Sequence, residues 1–320
     1  MKITPPSHYS PVTKPVCFEF DCGERSSFEV DIIDDATDAV IGRKSFVDVV
    51  QGSIDIVPYI YRDFEVEPIL SQNCLIQNSL QRSYHIEIGD IVSPSVRLSS
   101  NRRPLPQLPV LLTQMPLTRT MASNECDQLL LFVDGNDSIT VDCVASTGEN
   151  VQLEMSSSSG VVDIVVTAAE FSDDVQSLEI FIVAGSHHFE PITYTIRNHY
   201  GESRRVAWYS SLGTIEAYSF PIIASSYRTA ERNTYRTAEG GTRTATMMWR
   251  RGERLVSDYE CRSTLCSLAD IVSNGEAWIV TPNGLQPTMV EDRTMEAYQM
   301  GEVGYLQVEI VTDEEEVALC

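Results

Sequence analysis

Residues 28–33 read Phe28-Glu29-Val30-Asp31-Ile32-Ile33, apolar and polar by turns. A strand sends successive side chains to opposite faces, so this pattern predicts a half-buried β-strand. The alternation recurs in Ser45-Phe46-Val47-Asp48-Val49-Val50, Ser53-Ile54-Asp55-Ile56-Val57 and Tyr84-His85-Ile86-Glu87-Ile88. Asp34-Asp35-Ala36-Thr37-Asp38-Ala39 is a turn between two such strands. Short alternating segments split by Gly, Asp and Ser predict antiparallel pairing, and residues 1–98 read as one Ig-like β-sandwich.

Outward from there, Ser99 to Pro109 carries Pro104, Pro106 and Pro109, and Pro116 follows. Proline cannot donate to a ladder, so 99–116 is expected to be a stiff linker. Beyond it, Leu129–Val133 and Ser138–Val144 flank Asp134-Gly135-Asn136-Asp137, which predicts a hairpin. Val151–Met155, Val161–Val166 and Leu178–Val183 complete a second sandwich over 117–190.

Residues 191–320 read as an α+β unit. Its strands are Thr193–Arg197, Arg205–Tyr209, Glu216–Pro221, Ala277–Val280 and Tyr305–Val311. The clear helix is Ser263–Asn274, with Ser263 as N-cap, Gly275 just past its end, and Leu265, Leu268, Ala269, Ile271 and Val272 as its apolar stripe. The tail Asp313-Glu314-Glu315-Glu316 is expected to be solvated and frayed. The fold class is mainly β: two antiparallel sandwiches, then the α+β unit.

Lys and Arg number 23 against 46 Asp and Glu, a net charge of −23. Such a field repels phosphate, so nucleic acid and anionic membrane are poor partners. The charge is uneven. Residues 1–196 hold 11 bases and 28 acids, 197–262 hold 11 Arg and 7 acids, and 263–320 hold one Arg and 11 acids. The basic island comprises Arg197, Arg204, Arg205, Arg228, Arg232, Arg236, Arg243, Arg250, Arg251 and Arg254, with Tyr227, Tyr235 and Trp249 among them. One reading pairs these arginines with the chain's own acids. The other makes them a protein–protein interface.

Tyr227-Arg-Thr-Ala-Glu repeats eight residues on as Tyr235-Arg-Thr-Ala-Glu. Eight is even, so on a strand Arg228 and Arg236 share a face, with Tyr227 and Tyr235 on the other. Gly240-Gly241 then reads as a turn and Thr242–Trp249 as a returning strand. Residues 225–256 are thus expected to form an arm that docks on an acidic surface of a neighbouring subunit. Its interface residues would be Arg228, Arg232, Arg236, Arg243, Trp249, Arg250 and Arg251.

Catalytic chemistry finds little support. His187 and His188 are adjacent and face opposite ways on a strand; His8, His85 and His199 are scattered. Cys17/Cys22 and Cys261/Cys266 have a spacing that zinc permits without requiring it, and buried thiols are expected, Cys266 included. Asp134 to Ser138 has the flavour of a calcium loop, but a hairpin turn explains the same residues. P-loop, nucleophile-elbow, dinucleotide and zincin motifs are all missing. No cofactor, no metal and no enzymatic activity are expected. The opening Met1-Lys2-Ile3-Thr4-Pro5-Pro6 lacks an apolar core for a secretory signal, and apolar runs are too short to span a membrane.

Three pieces in order carry a resemblance: Ile54-Asp-Ile-Val-Pro-Tyr-Ile60; Ile196-Arg-Asn198 with Val206-Ala-Trp-Tyr-Ser-Ser-Leu-Gly-Thr-Ile-Glu-Ala-Tyr-Ser-Phe-Pro221; and Leu268-Ala-Asp-Ile-Val-Ser-Asn-Gly-Glu-Ala-Trp-Ile-Val280 with Leu285–Asp292 and Leu306–Ile310. Together these resemble uncharacterised structural proteins of phages and prophages of gut Bacteroidetes. Ser210-Ser211 departs from the Asn that precedes Leu-Gly there. The resemblance implies a virion structural protein of tail, baseplate or fibre, made in the host cytoplasm and partnered by copies of itself and other virion proteins. Within it, Trp208, Leu212, Gly213, Tyr218 and Phe220 form a structural motif, Gly213 turning the chain and the aromatics packing across a hairpin. Two alternatives stand beside this reading. One is a sugar- or surface-binding adhesion module using Tyr9, Tyr59 and Tyr61; the other is a polysaccharide hydrolase.

Overall fold

The computed structural model describes residues 1–6, 10–11, 15–60, 68–78, 82–99, 108–133, 138–156, 160–197, 203–272, 277–281 and 283–318; of 10–11, 77–78, 99, 292–300 and 313–318 it describes the backbone alone. The chain is mainly β, in largely antiparallel sheets with little helix. No helix among the described residues is long and apolar enough to cross a membrane.

The N-terminal elements are β1 (Lys2–Thr4), β2 (Ser10–Pro11), β3 (Cys17–Asp34), β4 (Ala39–Asp55), α1 (Val57–Ile60), β5 (Cys74–Asn78), β6 (Arg82–Ile88), β7 (Ile91–Val92) and β8 (Val96–Ser99). All the strands but β5 form one seven-stranded sheet, ordered β1-β3-β6-β8-β2, with β4 beside β3 and β7 beside β6. The period-two residues turn inward: Val30, Ile32, Ile54, Tyr84, Ile86 and Leu98 meet in one core with Phe18 and Phe20. Each such side chain contributes about 1.5–3 kcal/mol on burial.

The next elements are β9 (Val110–Leu112), β10 (Thr118–Met121), β11 (Cys126–Val133), β12 (Ser138–Ala145), β13 (Asn150–Ser156), β14 (Gly160–Thr167), β15 (Ser177–Ala184), β16 (His187–His188) and β17 (Ile192–Ile196). They form two facing sheets, β5-β14-β11-β9 and β10-β17-β15-β12-β13, which share one core. Three strands lie across the boundaries read from sequence. β5, within 1–98, pairs with β14; β9, within the expected linker, pairs with β11; β17, within 191–320, pairs with β15 and runs parallel to β10.

The hairpin expected at 134–137, residues outside the described ones, is overturned by its flanks. β11 and β12 belong to different sheets. The reason is burial. β12 hides only alternate residues, whereas seven of eight in β11 are buried. β11 has Leu129, Leu131 and Val133 in the core between the two sheets, and Leu130 and Phe132 in a second core behind.

The remaining elements are β18 (Arg204–Tyr209), β19 (Ile215–Phe220), β20 (Ile222–Arg236), β21 (Thr242–Val256), β22 (Glu260–Cys261), α2 (Arg262–Leu268, then a 3-10 turn to Val272), β23 (Ala277–Thr281), β24 (Gly284–Met300) and β25 (Val303–Ala318). One eight-stranded sheet runs β19-β18-β23-β24-β25-β21-β20, with β22 beside β25. Its Ala207 and Ile215 pack on Leu130 and Phe132 of β11, while Trp208, Tyr218 and Phe220 pack on Leu265, Leu268 and Ile271 of the helical segment. Four layers therefore stack behind one another, and β11 lies second.

Two expectations about this region are corrected. The helix starts earlier, with Cys261 and not Ser263 at the N-cap, and tightens after Leu268. Cys266 is exposed, because Leu265 and Leu268 take the inward positions and Cys266 lies a third of a turn from Leu265. The tail is a paired strand through Ala318, not a frayed end.

Leu131→Ala should lower stability by about 2–5 kcal/mol, since it empties a fully buried site in the strand shared by two cores. Urea unfolding monitored by tryptophan fluorescence measures this. A loss under about 1 kcal/mol would mean that β11 is not the packed centre described.

Candidate functional site

β20 and β21 are each 15 residues long and form a hairpin across Thr237–Gly241. Gly240 sits at φ +84, a conformation that disfavours side chains, and its N–H donates to the Thr237 carbonyl at 3.0 Å. The register places Arg228 opposite Arg251, Thr229 opposite Arg250, Ala230 opposite Trp249, and Tyr235 opposite Arg243. Arg236 faces Thr242. On its other side β21 pairs with β25, which sets Arg251 opposite Asp313 and Arg250 opposite Glu314. Among the described residues no strand pairs beyond β20, which ends the sheet.

The arginine island divides in two. One group pairs with the chain's own acids. Arg204 donates to both Glu253 oxygens at 2.7 and 2.8 Å, Arg254 Nε donates to Glu309 at 2.8 Å, and Arg197 donates to Asp258 at 2.7 Å. Arg250 lies 3.6 Å from Glu291. The other group is Arg228, Arg232, Arg236, Arg243 and Arg251, all exposed, with no ion pair to any described side chain. Trp249 is half-buried, as are Met247 and Met248. Tyr227 lies over Gly252, where a Cβ would come within 2.4 Å of the ring, so only glycine permits this packing.

Trp208, Tyr218 and Phe220 are buried in the hairpin of β18 and β19, with the Tyr218 and Phe220 rings 5.0 Å apart. Gly213 turns the chain at φ +76, and its N–H donates to the Ser210 carbonyl at 3.0 Å. Leu212 is half-buried beside it. These residues shape a core; the indole N–H of Trp208 is buried without a hydrogen-bond partner among the described residues.

Sequence reasoning missed a buried polar cluster where the layers join. Arg119 on β10 donates to Asp127 at 2.9 Å, and Tyr194 Oη donates to the same carboxylate at 2.8 Å. Arg205 on β18 reaches the other Asp127 oxygen at 3.3 Å, Glu125 at 3.2 Å and the Cys126 carbonyl at 2.6 Å. Ser219 donates to Glu125 at 2.6 Å. Glu216 accepts from Thr113 Oγ1 at 2.9 Å and from the Gln114 N–H at 2.8 Å. Burial pushes the Glu216 carboxyl above its usual range against the pull of Arg119. Arg119, Asp127, Arg205, Glu216 and Tyr194 are each at most 7% exposed, so every charge here needs its partner. The only sequence signal was charge at the head of apolar strands, as in Asp127 before Leu129 and Arg205 before Val206.

A cleft of about 510 Å³ lies beside this cluster, lined by Arg119, Arg197, Tyr218, Glu260 and Cys261 among others. The Cys261 thiol is brought down to about 7 by hydrogen bonds from Ser263 Oγ at 3.0 Å and Thr264 Oγ1 at 3.3 Å. The expectation of mainly buried thiols is corrected: of the described cysteines, all free, only Cys143 is buried, while Cys261 and Cys266 are exposed. His85 pairs with Asp35, and His187 and His188 are exposed on β16. Among the described residues no group of three or more His, Cys, Asp and Glu gathers as metal ligands would. Tyr59 is exposed and its ring lies against Gly42; Tyr9 and Tyr61 fall outside the described residues, as do His8 and His199.

No protein-family model matches the sequence, and no curated protein is significantly similar to it. Among solved structures, the native conformation of E. coli alpha-2-macroglobulin (ECAM) is similar at 9% identity with a TM-score of 0.18. That likeness covers 99% of this chain but only 20% of the other, and carries no argument about fold or function.

Two outcomes follow from the geometry. Arg205→Met should cost about 3–5 kcal/mol in urea unfolding, because it removes one of the two cations that balance the Asp127 and Glu125 carboxylates, while Arg197→Met at the solvated Asp258 pair should cost about 0–1 kcal/mol. Equal losses would contradict the buried cluster. For Cys261, a thiol lowered on folding is ionised above about pH 7, so its iodoacetamide rate should rise through about pH 7 and exceed that of Cys266 at neutral pH. Ser263→Ala should move that rise upward; an unmoved profile would contradict the assigned cause.

Proposed function

We propose that this chain is a non-enzymatic structural subunit of a phage particle, placed in its tail, baseplate or fibre and acting by protein–protein assembly. The observation that carries the reading is the β20–β21 arm. It projects five exposed arginines without described acidic partners from a chain of net charge −23. Arg228 and Arg251 stand opposite each other on one face, and like charges so placed repel. An acidic neighbour offsets that repulsion. The three-part resemblance to structural proteins of phages and prophages supports the same class. The modular reading goes with it: two Ig-like sandwiches present the subunit, and the C-terminal unit assembles it with copies of itself and other virion proteins, so that the mature location is the virion.

Electron microscopy of particles produced without this gene tests the class. Missing or malformed tails are expected; normally tailed, infectious particles would contradict it. Arg228→Glu with Arg236→Glu tests the surface. Assembly should be blocked while the monomer's unfolding midpoint stays near that of the parent, because both residues are exposed. Unchanged assembly would remove the arm from the interface.

A further inference from the structure

We infer that the open edge of β20 accepts one more strand, an extended acidic segment of a neighbouring subunit. It would pair backbone to backbone along Ile222–Arg236 with carboxylates beside Arg228, Arg232 and Arg236. This rests on the assembly reading above and adds to it the mode and chemistry of the contact.

The edge itself is the first argument. Fourteen of its fifteen residues pair on one side, Ala224 being skipped at a bulge, and among the described residues no strand pairs on the other, so alternate N–H and C=O groups there have no described ladder partner. No proline interrupts them, and nearly every side chain is exposed. Proteins usually blunt such edges with charge, bulges or covering loops. Here the charge is selective. Arg228, Arg232 and Arg236 stand four apart and so share one face, while Glu231 lies on the other. A strand added at about 4.8 Å puts its own side chains on that face beside these arginines. A second β20 would set guanidinium against guanidinium and be repelled; an acidic strand would be held.

The chain's own topology supplies the second argument. β21 is the other strand of this hairpin, and its outer side is already occupied by an acidic strand of this kind. β25 runs antiparallel along it, with Asp313, Glu314, Glu315 and Glu316 in register with Arg251, Arg250, Trp249 and Met248. The basic hairpin thus accepts an acidic strand on one edge and presents the same charge on the other. The face to be shared also carries Trp249 and Met247, opposite Ala230 and Arg232, which gives an incoming strand apolar area as well as charge.

The test uses the full chain and a synthetic peptide with the sequence of Gln307–Ala318. Amide hydrogen exchange should show new protection within 222–236 when the peptide is added. Arg228→Glu with Arg232→Glu should weaken binding by about tenfold or more. A peptide with its four acids at 313–316 replaced by Gln or Asn should bind comparably weakly. A second pair of variants reads the backbone. Adjacent N–H groups on a strand point to opposite edges. Of Thr229→Pro and Ala230→Pro, one should therefore keep the parent's unfolding midpoint yet lose the peptide. Peptide protection confined to 246–252, with the chain's own 313–318 released, would overturn the inference, as would binding that ignores the charge reversal. If the peptide adds to β20 while gene deletion leaves normal particles, the strand site stands and the phage assignment fails. If charge reversal blocks assembly but no strand adds, the reverse holds.

Discussion

One strand bears the architecture. β11 is covered on one side by the β12-containing sheet and on the other by the sheet of β18 and β19, so its apolar run fills two cores at once. A strand buried on both faces cannot be shifted in register by one residue without carrying a new set of side chains into both. Its charged head is fixed equally firmly. Asp127 binds Arg119 and Tyr194 from one layer and Arg205 from another, all away from water. Apolar packing holds the layers together, and this cluster specifies how they meet, since any other meeting leaves a buried charge alone.

The charge distribution becomes legible against that frame. Arginines near the layered body are consumed by it: Arg205 in the junction, Arg204 and Arg254 across the sheet face. Those farther out along the hairpin form no ion pair with a described acid. A chain with twice as many acids as bases still leaves five of these arginines without an ion pair to a described side chain, because strand geometry, and not composition, decides which side chains meet. The acidic C-terminal strand runs in register along one edge of the arm, and the arginines of β20 lie toward the other.

Much of the strand content was readable because period-two alternation reports one covered face, as at Phe28–Ile33 and Tyr84–Ile88. The long hairpin was readable because its turn needs Gly240 and its repeat has an even spacing. Three things were hidden. The run Leu129–Val133 does not say which two sheets cover it, so the turn residues after it suggested the wrong neighbour. The acidic tail looked unable to pair because its partner strand lies some sixty residues earlier, as Arg251 with Asp313 shows. The junction was hidden for the same reason: Arg205 and Asp127 are 78 residues apart and come together only when the layers stack.

The central claim is that the open edge of β20 is the surface on which this subunit assembles. A cryo-electron microscopy map of the native particle, resolved well enough to separate strands, tests it most directly. The account predicts continuous density for an added strand about 4.8 Å from β20, with acidic side chains beside Arg228, Arg232 and Arg236. Copies whose β20 edge faces solvent throughout the particle would contradict it.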